Sequence, residues 1–166
     1  MVSRTQVSPR TVAESVTDPE LPMLTLADLG VLRDVEQDGD RVVVTITPTY
    51  SGCPAMDEMR ADLVTFLARA GYADVQVRVA LSPPWTTDWI SADGRRKLAE
   101  AGIAPPGNPP RSGPALVNLG PTVRAASCPR CGEPDTVEVS PFGATACRAL
   151  RRCPACDEPF EHFKEH

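Results

Sequence analysis

The 166-residue chain is 42% hydrophobic and 23% charged, enough for one ordinary core plus a small appendage but too short for two full-sized domains. Its net charge of −5 removes any general attraction to phosphate backbones or anionic membranes, so nucleic-acid binding would need a local basic patch. Met1–Arg10 lacks the apolar core of a secretion signal and no later run reaches the roughly 18 apolar residues of a membrane span, so a cytoplasmic protein with no membrane contact is expected. In a reducing compartment the six cysteines are expected as thiols or metal ligands rather than disulfides.

The first element predicted is a short helix from Pro9 to Val16 with Ser8 as its cap. It ends before Thr17-Asp18-Pro19-Glu20-Leu21-Pro22, where the two prolines exclude regular helix or a central strand. Asp18 and Glu20 therefore present carboxylates from a stiff loop, and spacing alone favours a plain turn in which Asp18 bonds nearby amides. Leu24 to Leu32 is mostly apolar and is expected to pass through a helical turn around Thr25–Leu29 before Gly30.

A hairpin follows, because Val31, Arg33 and Val35 alternate with Leu32 and Asp34, and Val42, Val44 and Ile46 with Val43, Thr45 and Thr47. Gln37-Asp38-Gly39-Asp40 between them carries the Asp-Gly signal of a tight turn. From Pro54 the period changes: Met56, Met59, Leu63, Leu67 and Ala70 recur at three and four residues, the pattern of an amphipathic helix. Pro54 suits its first position and Gly71 the residue past its end, which puts Cys53 at or beside the N-cap.

That position has two readings of nearly equal weight. Unpaired amides and the helix dipole lower a thiol pKa from about 8.5, giving the thiolate that nucleophiles and metals require. Alternatively Cys53 is a small apolar residue filling the strand-to-helix corner.

Val75, Val77, Val79 and Leu81 then alternate in a third strand over Ala73–Ser82, completing a β-β-α-β layer. After Pro83-Pro84, Thr87 or Asp88 is expected to cap a helix running toward Ala101, stopped by Gly102. Trp85 and Trp89 are expected to cover the sheet, an aromatic docking surface being the lesser alternative. Ala104 to Pro114 reads as an extended, semi-rigid linker, with Ala115–Gly120 as a candidate docking segment.

Cys128-Pro129-Arg130-Cys131 and Cys153-Pro154-Ala155-Cys156 are two knuckles separated by 21 residues, the spacing of a zinc ribbon. Thr136–Ser140 and Cys147–Arg152 are its expected strands, joined through Pro141-Phe142-Gly143. A closed four-thiolate site favours structural Zn²⁺, with mononuclear iron or an iron-sulfur cluster as the competitor. Cys147 reads as a packed strand residue, and His162 and His166 as solvated tail residues. Arg124, Arg130, Arg148, Arg151 and Arg152 are offset by Glu133, Asp135, Glu138, Asp157 and Glu158 without interleaved aromatics, which favours protein docking over nucleic acid.

Asp18-Pro19-Glu20 followed by Thr47-Pro48-Thr49 and Gly52-Cys53-Pro54 resembles the SufT-like family of iron-sulfur assembly factors, from about residue 10 to 82. With the Ser82–Ile90 block and the Cys128–Cys156 ribbon ending in Glu158-Pro159-Phe160-Glu161-His162-Phe163-Lys164, the whole chain resembles the D-subunit family of the phenylacetyl-CoA epoxidase system. The resemblance implies a non-catalytic accessory subunit that delivers or assembles iron or iron-sulfur centres on the oxygenase or its reductase in phenylacetate degradation. It also implies a labile iron or cluster site at Cys53, with Asp18, Glu20, Thr47 and Thr49 around it.

The fold expected is α+β: a small mixed sheet with packed helices, then a β zinc ribbon. Residues 1–103 form the SufT-like domain, 104–124 the proline-rich linker and 125–166 the ribbon. Partners are the epoxidase subunits or iron-sulfur assembly proteins, and a homodimer is left open. Two other classes compete: a ribbon module binding protein or nucleic acid, and a thiol-dependent enzyme using Cys53. The enzyme is disfavoured because the only histidines, His162 and His166, are far from Cys53 in sequence.

Overall fold

Ser8, Pro9 and the alternating valines act where the sequence places them in the computed structural model, which describes residues 7–50, 52–107 and 126–165. Helix α1 spans Pro9–Glu14, and the Ser8 Oγ accepts from the Thr11 amide at 3.2 Å. Strands β1 (Leu32–Asp38) and β2 (Arg41–Ile46) pair antiparallel around a turn at Gly39, whose φ of +58° is the left-handed region that glycine enters at least cost. Helix α2 (Met56–Arg69) then carries the chain to β3 (Asp74–Val79), which pairs parallel with β2. The sheet order is β1-β2-β3, with β2 central.

Alternation sorts β2 by face. Val42, Val44 and Ile46 are fully buried, as are Leu63 and Leu67 of α2, while Arg41 stays exposed. The apolar run before β1 supplies the rest of this core: Leu24, Leu26, Leu29 and Val31 are at most 1% exposed. It makes one helical turn, closed by the Leu29 amide on the Thr25 carbonyl at 3.1 Å. Thr25 and Asp28 cap it reciprocally, each side chain accepting from the other's amide at 3.0 Å.

α1 and β3 are shorter than the sequence expectation, ending at Glu14 and Val79, and two helix starts differ from it. α2 begins at Met56, not Pro54, because Cys53–Ala55 closes a tighter turn in which the Met56 amide reaches the Cys53 carbonyl at 3.3 Å. The helix after the tryptophans is α3 (Ala92–Glu100), preceded by a single 3₁₀ turn at Thr87–Trp89. Its cap is Ser91, whose Oγ accepts from the Gly94 amide at 2.9 Å, rather than Thr87 or Asp88.

The second sheet has the order β4-β7-β6-β5. Its strands are β4 (Ile103–Ala104), β5 (Val137–Ser140), β6 (Arg148–Arg152) and β7 (Pro159–Phe163). β5-β6-β7 is an antiparallel meander, and β4 adds in parallel to β7. β5 and β6 match the expected ribbon strands, whereas β4 and β7 add to them. His162 is a correction: it lies in β7 at 3% exposure, facing Ala104 on one side and Ala149 on the other, small neighbours that leave room for an imidazole.

Chain contacts divide the molecule into Met1–Gly94 and Arg95–Glu165. The sequence boundary at 104 falls at the end of β4, and the proline-rich stretch from residue 108, with the 115–120 docking segment and His166, lies outside the described residues. No helix among the described residues is long and apolar enough to cross a membrane.

Candidate metal centre and Cys53 loop

The ribbon site is built from two like-shaped knuckles. In the first, the Cys128 amide donates to the Glu133 carbonyl at 2.8 Å and Gly132 takes φ +79°; in the second, the Cys153 amide donates to the Glu158 carbonyl at 2.9 Å and Asp157 takes φ +57°. Each knuckle therefore turns back through a left-handed residue just after its second cysteine. That turn points both sulfurs of a pair the same way.

The four sulfurs converge, all within 4.8 Å of one another. Cys128 and Cys156 stand 3.8 Å apart and Cys131 and Cys153 3.5 Å, too long for disulfides, and all six cysteines are free thiols. A tetrahedron with bonds of about 2.3 Å has edges of roughly 3.8 Å, so the donor set fits one metal ion. Among the described residues no other group of three or more Cys, His, Asp or Glu side chains is placed to hold a metal.

Protons are unevenly held in the cluster. Burial pushes the Cys128 thiol up, but the Cys131 and Arg130 amides and the neighbouring thiols outweigh it and bring Cys128 down to about 7. At Cys156 the Glu158 amide pulls down, yet burial and the other three thiols win and raise it to about 12. Cys131 is raised as well: its largest influence, the Glu133 amide, lowers it, but Cys153, burial and Cys128 push it up. Cys128 thus ionises readily, whereas Cys131 and Cys156 need the ion's charge to lose their protons.

The site doubles as the module's interior. Cys128 and Cys153 pack with Ala104, Ala126 and Phe160 in one buried cluster. Cys147, just before β6, is buried with its Sγ 3.0 Å from the Thr145 Oγ1 and is not part of the four-sulfur group. The ribbon arginines are committed to acids: Arg130 to Glu158 and Arg152 to Asp157 at 2.6 Å, Arg148 to Glu161 at 2.5 Å, and Arg151 to Glu138 at 3.6 Å. Arg124 lies outside the described residues.

Cys53 is 7% exposed, in the turn between Thr47–Pro48 and α2. It sits two residues before the N-cap, Ala55, which makes no side-chain capping bond, so the thiol is less closely seated on the helix end than expected. Asp18 is 5% exposed, and its Oδ1 accepts from the Glu20 amide at 2.9 Å and the Leu21 amide at 2.8 Å. This is the plain turn that spacing favours. Glu20 and Thr49 are half-buried and Thr47 is buried, its amide on the Val31 carbonyl at 2.9 Å.

Cys53, Asp18 and Glu20 do not form a ready metal-ligand group. They are nevertheless linked through backbone. Asp18 bonds Leu24, Leu26 bonds Val16, Leu32 bonds Leu26, and Thr47 bonds Val31, so the 24–32 segment runs between the acidic loop and the start of the Cys53 loop.

Residues 10–79 match the family described as iron-sulfur cluster assembly protein, and residues 113–164 match the PaaD zinc beta ribbon domain. A solved structure of a domain of unknown function, DUF59, from Bacillus anthracis is 29% identical with a TM-score of 0.51, covering 54% of this chain and 87% of its own. An Fe-S protein maturation auxiliary factor SufT from Staphylococcus aureus is 36% identical over 46% of this chain and 88% of its own length. Fold and site together define an iron-sulfur assembly domain followed by a zinc ribbon. A protein of Escherichia coli named as the putative D subunit of 1,2-phenylacetyl-CoA epoxidase is 45% identical over 149 residues, 90% of this chain and 86% of its own. The chain belongs to that D-subunit family.

Proposed function

We propose that this protein is an accessory maturation factor of a phenylacetyl-CoA epoxidase, assembling iron or iron-sulfur centres on the oxygenase or its reductase without catalysing epoxidation itself. The observation that carries the reading is the pairing, in one chain, of an iron-sulfur assembly domain over residues 10–79 with a PaaD zinc ribbon over 113–164. The work divides between two cysteine centres. Cys128, Cys131, Cys153 and Cys156 hold Zn²⁺, a closed site with no open position, which supplies folding energy and no chemistry.

Cys53 is the exchange-prone ligand for the cargo. A lone thiolate on a turn releases iron far more readily than a four-thiolate cage. Asp18 orders the acidic loop through its two amide bonds, and Glu20, Thr47 and Thr49 are the polar residues that the family resemblance assigns to the cargo site. A nucleophilic enzyme is disfavoured because His162 is taken up in β7, buried between Ala104 and Ala149, rather than offered as a base. Nucleic acid is disfavoured by the acid-paired arginines of the ribbon.

The location proposed is cytoplasmic, with epoxidase subunits or iron-sulfur assembly proteins as partners. Co-expression with the epoxidase tests the reading. Cys53→Ala is expected to leave the client short of metal while the protein itself accumulates normally, and full client loading by Cys53→Ala would overturn it.

A further inference from the structure

Residues 80–112 fall between the two family matches, yet part of this stretch is built firmly into the N-terminal unit. Trp85 is 4% exposed and its Nε1 donates to the Leu29 carbonyl at 2.9 Å. The Ser91 amide donates to the Asp28 carbonyl at 2.8 Å. Arg33 lays its guanidinium 3.6 Å from the Trp89 ring centroid.

Two glycines show how close the approach is. A Cβ on Gly30, which has φ +69°, would stand 2.5 Å from the Trp89 Cβ, and one on Gly94 would stand 2.8 Å from the Asp28 carbonyl oxygen. Backbone 28–30 is thus gripped from both ends by residues 85–94. The same stretch lies within the segment that bonds Thr47 through Val31 and Asp18 through Leu24.

We propose that Trp85–Gly94 is a brace that positions the Thr47–Cys53 loop through the 24–33 segment, with Trp85 as the positioning residue. The proposal rests on the reading of Cys53 as the cargo ligand and adds what holds that ligand in place. Its physical basis is that a thiol on a turn is only as well placed as the elements bonded to that turn. Here the Thr47 amide has one backbone bond to Val31, two residues from the carbonyl that Trp85 holds.

The test is amide hydrogen exchange on the full-length, zinc-loaded protein. Trp85→Phe keeps a ring and loses the N–H donor; Gly94→Ala keeps the helix and pushes the start of α3 off Asp28. Both are expected to speed exchange across Thr47–Cys53 at least tenfold, with α2 and the zinc content unchanged. Faster exchange confined to 24–33 and 85–94 would make the contact local packing and overturn the proposal. So would a rise spread equally through α2, which marks general destabilisation. Iron retained anaerobically by wild type and Cys53→Ser reports separately on the ligand: a brace effect with no iron at Cys53 keeps the positioning and removes the cargo reading.

Discussion

Stripping the ion from the ribbon is the perturbation with the most calculable effect. The buried cluster around the site has five members, of which Cys128 and Cys153 are ligands and only Ala104, Ala126 and Phe160 are not. Burying a phenylalanine is worth up to about 3 kcal/mol and each alanine methyl about 0.8 kcal/mol, so this apolar contribution is of order 4–5 kcal/mol. A structural Zn²⁺ contributes about 10–16 kcal/mol to a module of this kind at neutral pH. Metal binding therefore outweighs the burial of this cluster by a factor of about two or more. It is comparable to the module's apolar burial once Ile103, Ala149 and Phe163 are added, so its loss removes about half of what holds the ribbon together. Chelation, or Cys153→Ser, should unfold the ribbon at 25 °C, whereas the N-terminal unit keeps its own core of Leu24, Leu26, Val42, Val44, Leu63 and Leu67. Exchange mass spectrometry reads both: peptides from 126–165 should reach full deuteration within seconds while α2 peptides stay protected. Unchanged protection of 126–165 in protein verified to be metal-free would refute a metal-dependent ribbon.

Three further outcomes are expected. Leu63→Ala, at a fully buried position in α2, should cost about 2–5 kcal/mol in urea unfolding of the N-terminal unit without altering zinc content. Asp18→Ala should cost about 1–3 kcal/mol by orphaning the Glu20 and Leu21 amides, while Asp18→Asn keeps the accepting oxygen and should cost little; iron loss in a stable Asp18→Asn would assign the carboxylate a cargo role beyond the turn. Zinc affinity should rise with pH and fall on acidification, because the raised thiols of Cys131 and Cys156 hold protons that the ion must displace, whereas Cys128, at about 7, is mostly ionised by pH 8. Calorimetry in buffers of different ionisation enthalpy should count about two or more protons released at pH 7.5; release of fewer than one would contradict the assigned proton positions.

The parts of this molecule legible in its sequence are those set by local rules. Four cysteines in two CxxC knuckles specify their own turns, and the Val42–Ile46 alternation and the 56–67 spacing specify a strand and a helix. Less legible is the entry to α2. Pro54 satisfies the rule for a first helical residue, but the turn from Cys53 to Met56 closes before the helix starts, and no local signal separates the two. β4, with two residues, and β7, which begins at a proline and carries Glu161 and His162, have too little pattern to read alone; partners on β6 and on each other make them strands. His162 reads as solvated in sequence because its burial depends on Ala104 and Ala149, which become neighbours only once the sheet register is set. The tryptophan block reads as cover for the sheet, and the folded chain adds that Trp85 and Trp89 clasp backbone 29–30, a long-range contact with no local signal.

The division of labour between the two cysteine centres is tested most directly by anaerobic purification and metal analysis of wild type, Cys53→Ser and Cys128→Ser. Stable zinc, bound at about one equivalent, should be lost only in Cys128→Ser, and oxygen-labile iron only in Cys53→Ser. Iron that disappears with Cys128, or that survives loss of Cys53, would overturn that division.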